Sequence, residues 1–133
     1  MKTEKSAIMV EQFHYDLLLE PKEPVTDINV SLNEVEATGD QADEIMAAGH
    51  AFQFVVDFHV VLDQFEITGR ITRIIQFLDY FDAAEQLPTD VIQKLARPLV
   101  EYIETITYRV TEITLDQGIQ LSFEPASDDS EDQ

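Results

Sequence analysis

The side chains best suited to metal binding or acid-base work in this sequence are three histidines and a surplus of carboxylates. His14 lies two residues from Asp16, and Asp57 two residues from His59, each pair within a run that alternates as a strand does. Were those two strands neighbours, the four groups would converge into a metal or acid-base cluster. Sheet-face histidines that are simply solvated or hydrogen-bonded are several times more common, and the sequence does not dictate the pairing. His50, after Gly49, has no companion at ligand spacing. The chain contains no HExxH, no CxxC, no Gly-rich phosphate loop and no serine within GxSxG. Adjacent acids such as Asp43/Glu44 and Asp128/Asp129 have no fixed geometry, and the acidic end lacks the glycine and alternation of a calcium loop. The expectation is a protein that is not an enzyme, with no metal and no cofactor.

The aromatic residues give a different signal. Phe77, Leu78, Tyr80 and Phe81 cluster where a strand runs out into a loop, and such a cluster can line a binding groove. Phe77 and Leu78 are more often ordinary core. Tyr80 and Phe81, flanked by Asp79 and Asp82, are the better candidates for an exposed apolar patch.

The elements that must position these residues centre on Ala51–Leu78. Phe52, Phe54, Val56, Phe58, Val60 and Leu62 fall at every second position and share one strand face, while Gln53, Asp57, His59 and Asp63 lie on a mixed, wetter one. FEITGRITRIIQFL follows after a tight hairpin, and Ile74, out of phase with Ile67 and Ile71, calls for a bulge near Gly69. A first strand over about Ala7–Glu20 carries an excess of apolar residues at Leu17–Leu19, which fits packing on both sides or a subunit interface. Pro21 and Pro24 end it. Ile28, Val30 and Leu32 mark a one-sided second strand, and Asp40–Ala48 a loop with a turn of helix. From Thr89, Ile92, Leu95, Leu99, Ile103, Ile106 and Val110 recur at three or four, the pattern of a long amphipathic helix. Pro98 predicts a kink or a split, and the Thr-rich end a fraying into extended structure.

Length and charge narrow the classes further. At 133 residues the chain fits one domain over 1–126, with a disordered acidic tail at 127–133. It has no cysteine, so no disulfide holds it, which suits a reducing compartment, and it offers no apolar run of membrane-spanning length. A cytoplasmic location is the expectation. With 27 acids against 8 Lys and Arg the formal net charge is -19, which repels nucleic acid and anionic lipid.

The order of elements, four antiparallel strands, an aromatic loop and a long helix, resembles the SecB-like fold. The likeness is strongest over LARPLVEYIETITYRVTEITLDQGIQLSF, where an Ala-Arg pair opens the amphipathic helix and a short Leu/Phe segment follows. The whole chain is similar to the family called domain of unknown function 1149, which is grouped with SecB by fold. The resemblance implies an α+β domain, a four-stranded antiparallel sheet with the helix packed on one face. It also implies a homodimer or dimer of dimers that holds unfolded polypeptides without nucleotide, with Phe77, Leu78, Tyr80 and Phe81 lining the groove. By position, Asp57, Asp63 and Glu66 would form an acidic face for docking a basic partner. The alternative is an adaptor that recognises one folded protein through Leu17–Leu19.

Overall fold

Alternation in the two central runs becomes a long antiparallel hairpin in the computed structural model, which describes residues 2–62 and 64–123. Strand β4, Ala51–Val61, pairs with β5, Phe65–Phe77, without a break from Val61 opposite Glu66 to Ala51 opposite Gln76. On its other side β4 pairs with β3, Val25–Val35, along all eleven residues. Strand β2, Met9–Leu17, lies on the far side of β5, and the short β1, Thr3–Lys5, continues the same edge opposite Ile75–Phe77. The sheet therefore has five strands, not four. β1 escapes sequence reading because TEK has no apolar alternation; it forms because β5, at 13 residues, extends past the end of β2 and offers free backbone groups.

The bulge is also elsewhere. β5 stays in register with β4 through Gly69, and the extra residue sits in β2 between Val10 and Gln12. Gly69 answers a different need: a Cβ there would lie 2.4 Å from the Gln12 carbonyl oxygen and 2.6 Å from the Phe58 ring, so the glycine admits β2 and Phe58 together. Ile74 needs no bulge, since it lies on the mixed face and is exposed.

The shared register separates the two faces. Phe52, Phe54, Val56, Phe58 and Val60 align with Phe65, Ile67, Ile71 and Ile75, and all are buried. The opposite face carries Gln12, His14 and Asp16 from β2, Asp27 and Asn29 from β3, Asp57 and His59 from β4, and Glu66 and Arg70 from β5. The loop after β3 contains the short helix α1, Ala42–Ala48, longer than the single turn that the sequence predicts.

The described chain forms two compact units, divided in sequence between Gln86 and Leu87. The second is built on α2, Thr89–Thr114, a single helix of 26 residues that runs through Pro98 without dividing. Ala96, Leu99, Ile103, Thr107 and Thr111 form its buried stripe. Its threonine-rich end stays helical rather than turning extended: Thr111 and Thr114 donate their hydroxyls to the carbonyls of Thr107 and Val110, at 2.7 and 2.9 Å, and so remove competing hydrogen-bond demands. The chain then returns along the helix. Ile119 N–H donates to Thr111 Oγ1, Phe123 N–H to Glu104, and Arg97 to the Phe123 carbonyl, so the apolar segment is fastened without becoming a strand. The expected tail, 127–133, lies outside the described residues.

Candidate aromatic binding site

Hairpin arithmetic places the aromatic turn. With Ala51 opposite Gln76, the next position brings His50 opposite Phe77, and the Phe77 N–H donates to the His50 carbonyl at 2.9 Å. Beyond it, His50 N–H donates to the Tyr80 carbonyl at 2.7 Å and Asp79 N–H to the Ala48 carbonyl at 2.7 Å. Asp79 takes a left-handed conformation, φ 61°, which turns the chain back on itself. The turn bearing Tyr80 and Phe81 is thus clamped to the segment that leads into β4.

The four aromatic-site residues do not share one role. Phe77 is wholly buried at 0% exposure, its ring 5.7 Å from Phe52 and 6.4 Å from Phe54. It is the floor of the site. Tyr80 is half-buried, edge-on to Phe77 and Phe52 at 5.8 and 6.4 Å, with its hydroxyl donated to the Ala83 carbonyl. Burial, with the Asp82 and Glu85 charges adding to it, raises the Tyr80 pKa above its ordinary value, which favours the neutral phenol. Leu78 is also half-buried. Phe81 is 54% exposed and is the outermost ring of the cluster.

His50 completes the cluster, although the sequence offered it no partner. Its ring stands edge-on to Phe81 at 5.7 Å, and Nδ1 lies 3.2 Å from the Asp82 carbonyl and 3.4 Å from the Glu34 carboxylate. The signal that could have found it was the hairpin: once a tight turn sets 51 against 76, position 50 must fall beside 77.

The acidic docking candidates stand on the mixed face of the sheet. Asp57 Oδ1 accepts from Arg70 Nε at 2.8 Å, and this pairing holds the Arg70 pKa above its usual value. Glu66 accepts from Lys22 Nζ at 2.7 Å and lies 2.6 Å from His59 Nε2. A basic partner would have to compete with these internal cations. Asp63 lies outside the described residues. His14 and His59 do not meet, because β5 lies between their strands; both stand opposite Thr68, His14 beside Asp16 at 3.2 Å. Among the described residues no group of three His, Cys, Asp or Glu side chains could hold a metal ion.

Glu66 yields a pH prediction. Its hydrogen bonds from Lys22 and His59 hold its pKa below the ordinary carboxylate value. The stabilisation is therefore present above the unfolded-state pKa, about 4.3, and is lost as pH falls through the lower folded value. Glu66→Gln should lower the urea midpoint at pH 7 and leave it unchanged at a pH below both values. An equal loss at both pH values would show that the pair contributes nothing through ionisation.

An antiparallel sheet in the order β1/β2-β5-β4-β3, followed by a long helix, defines a protein of SecB-like fold. The fold likeness is direct: the structure matches a SecB-like chaperone from Mycobacterium tuberculosis in complex with a ChAD peptide from the HigA1 antitoxin, with TM-score 0.53 and 14% identity, over 92% of this chain and 90% of that one. It also matches the crystal structure of a protein of unknown function from Streptococcus agalactiae, with TM-score 0.74 and 29% identity, over 92% and 98% of the two chains. Residues 1–123 match the family model described as protein of unknown function (DUF1149), and the chain belongs to that family. None of the curated proteins matches it. Among the described residues no helix is long and apolar enough to cross a membrane.

Proposed function

We propose that this protein holds unfolded polypeptide segments, without nucleotide, at the aromatic turn that follows β5. The observation that carries the reading is Phe81, a large apolar ring left 54% exposed although its turn is clamped by backbone hydrogen bonds and its ring stands edge-on to His50. An ordered apolar ring facing water is already positioned to bind, so capture costs little side-chain entropy. Asp79, Asp82 and Glu85 surround the patch and keep a loaded complex soluble. The peptide carried by the mycobacterial neighbour supports polypeptide as the ligand class.

The test is suppression of aggregation of a slowly refolding protein by stoichiometric amounts of this chain, against an equally acidic inert protein. Suppression beyond that control is expected. Tyr80→Ser combined with Phe81→Ser should weaken capture about tenfold or more, as loss of central aromatic anchors does at other interfaces. Phe81→Ser alone, at an exposed position, should show most of the loss with an unchanged urea midpoint. Capture unaffected by either variant would remove the site.

A further inference from the structure

The outer edge of β3 is long and unused. The strand stays in unbroken register with β4 over all eleven residues, and among the described residues no strand pairs with its other side. No loop backbone group among them hydrogen-bonds to it either; the short turn Ala84–Gln86 approaches the strand without bonding to it. VTDINVSLNEV contains no proline, lysine, glycine or bulge, so its outward N–H and C=O groups present an intact half-ladder. Only negative charge guards it: residues 23–36 carry Glu23, Asp27, Glu34 and Glu36 and no Lys or Arg. The register gives this edge two unlike faces. Ile28, Val30 and Leu32, opposite Phe58, Val56 and Phe54, continue the apolar face of the sheet, yet Val30 is 40% exposed and the other two are only half-buried. Asp27, Asn29, Ser31 and Asn33 stand exposed on the mixed face. Asp27 accepts from Asn29 Nδ2 at 3.3 Å, and no Lys or Arg among the described residues pairs with it, whereas Asp57 and Glu66 are already held by Arg70 and Lys22.

We infer that β3 takes an extended segment of another protein as an added antiparallel strand, one in which apolar residues alternate with Lys or Arg. Residues directly opposite in a ladder share a face. Apolar side chains of the segment therefore fall opposite Ile28, Val30 and Leu32 and cover the half-open strip, while a Lys or Arg falls opposite the unpaired charge of Asp27. The main-chain bonds supply affinity and the alternation supplies specificity. A second copy of this edge is a poor occupant, because it would bring the same four carboxylates against their like on a chain of net charge -19. The edge is distinct from the aromatic turn and binds its segment whether or not the turn captures clients.

The probe is a synthetic peptide of about nine residues with blocked ends, valine alternating with lysine and threonine. Titrated into the whole chain in a calorimeter, it should bind saturably and more weakly as salt rises. Glutamate in place of its lysines should weaken binding about tenfold or more. A ladder uses every second amide of the added strand, so methylating one alternate set of peptide nitrogens should abolish binding, and methylating the other set should leave it nearly unchanged. Val30→Lys and Asp27→Lys, both at exposed positions, should each weaken binding about tenfold with an unchanged urea midpoint, and Phe81→Ser should leave it as it was. Absence of saturable binding by the wild-type chain overturns the inference. Indifference to the charge of the peptide, or an equal effect of the two methylations, overturns it as well. Binding that Phe81→Ser abolishes and Val30→Lys spares also overturns it, and places the peptide at the aromatic turn instead.

Discussion

Gly49→Ala should cost about 2–6 kcal/mol, the sum of a backbone region reserved for glycine and an overpacked contact. Gly49 has φ 151° and ψ 165°, and a Cβ added there would lie 1.9 Å from the Phe77 carbonyl oxygen and 2.9 Å from its carbon. Both atoms belong to backbone held by the His50 and Ala48 hydrogen bonds, so neither can move aside as a flexible side chain would. Relief requires the segment leading into β4 to part from the end of β5. The first effect should therefore be local: loss of the 2.7 Å bonds from His50 to Tyr80 and from Asp79 to Ala48, and with them the clamp on Phe81. Urea denaturation followed by circular dichroism measures the total. Hydrogen exchange at the His50 and Asp79 amides measures the local opening, which should exceed that at Val56 in mid-sheet. An unfolding free energy within about 0.5 kcal/mol of wild type, the range of ordinary surface changes, would show that this junction tolerates a side chain.

Much of the fold was legible because two periods are written clearly into the sequence. The alternation from Phe52 to Val60 marks a buried strand face, and burial is the dominant favourable term in folding. The spacing from Ile92 to Val110 marks a helix, whose buried stripe keeps Leu99 and Ile103 from that set and adds Ala96, Thr107 and Thr111. The failures share a different cause. β1 exists because of a free edge on β5, the extra residue falls in β2 between Val10 and Gln12 while Gly69 is needed for the close approach of Gln12 and Phe58, and the threonines stay helical through bonds to carbonyls four residues back. Each is decided by a neighbour distant in sequence or by a side-chain oxygen with two alternatives. The site divides in the same way. Tyr80 and Phe81 stood out as apolar residues among acids, whereas His50 became visible only through the register of the hairpin. Asp57 and Glu66 read as free acids until Arg70, Lys22 and His59 were placed beside them.

Phe77→Ala and Phe81→Ala should separate the floor of the aromatic site from its contact surface. Phe77 is completely buried and touches the rings of Phe52, Phe54 and Tyr80, so its truncation removes apolar burial and leaves a cavity, at a cost of about 3–5 kcal/mol. Phe81, more than half exposed, should cost less than about 0.5 kcal/mol. Capture should run the other way at low temperature and without denaturant, where both variants are still folded. Phe81→Ala loses the ring a ligand would touch, while Phe77→Ala keeps it and loses only the support beneath Tyr80. The larger binding defect then belongs to the variant with the smaller stability defect. That inversion is what distinguishes a binding surface from a core that happens to reach the solvent: if the binding losses instead follow the stability losses, capture reflects partial unfolding of the sheet end, and the aromatic turn is not a site.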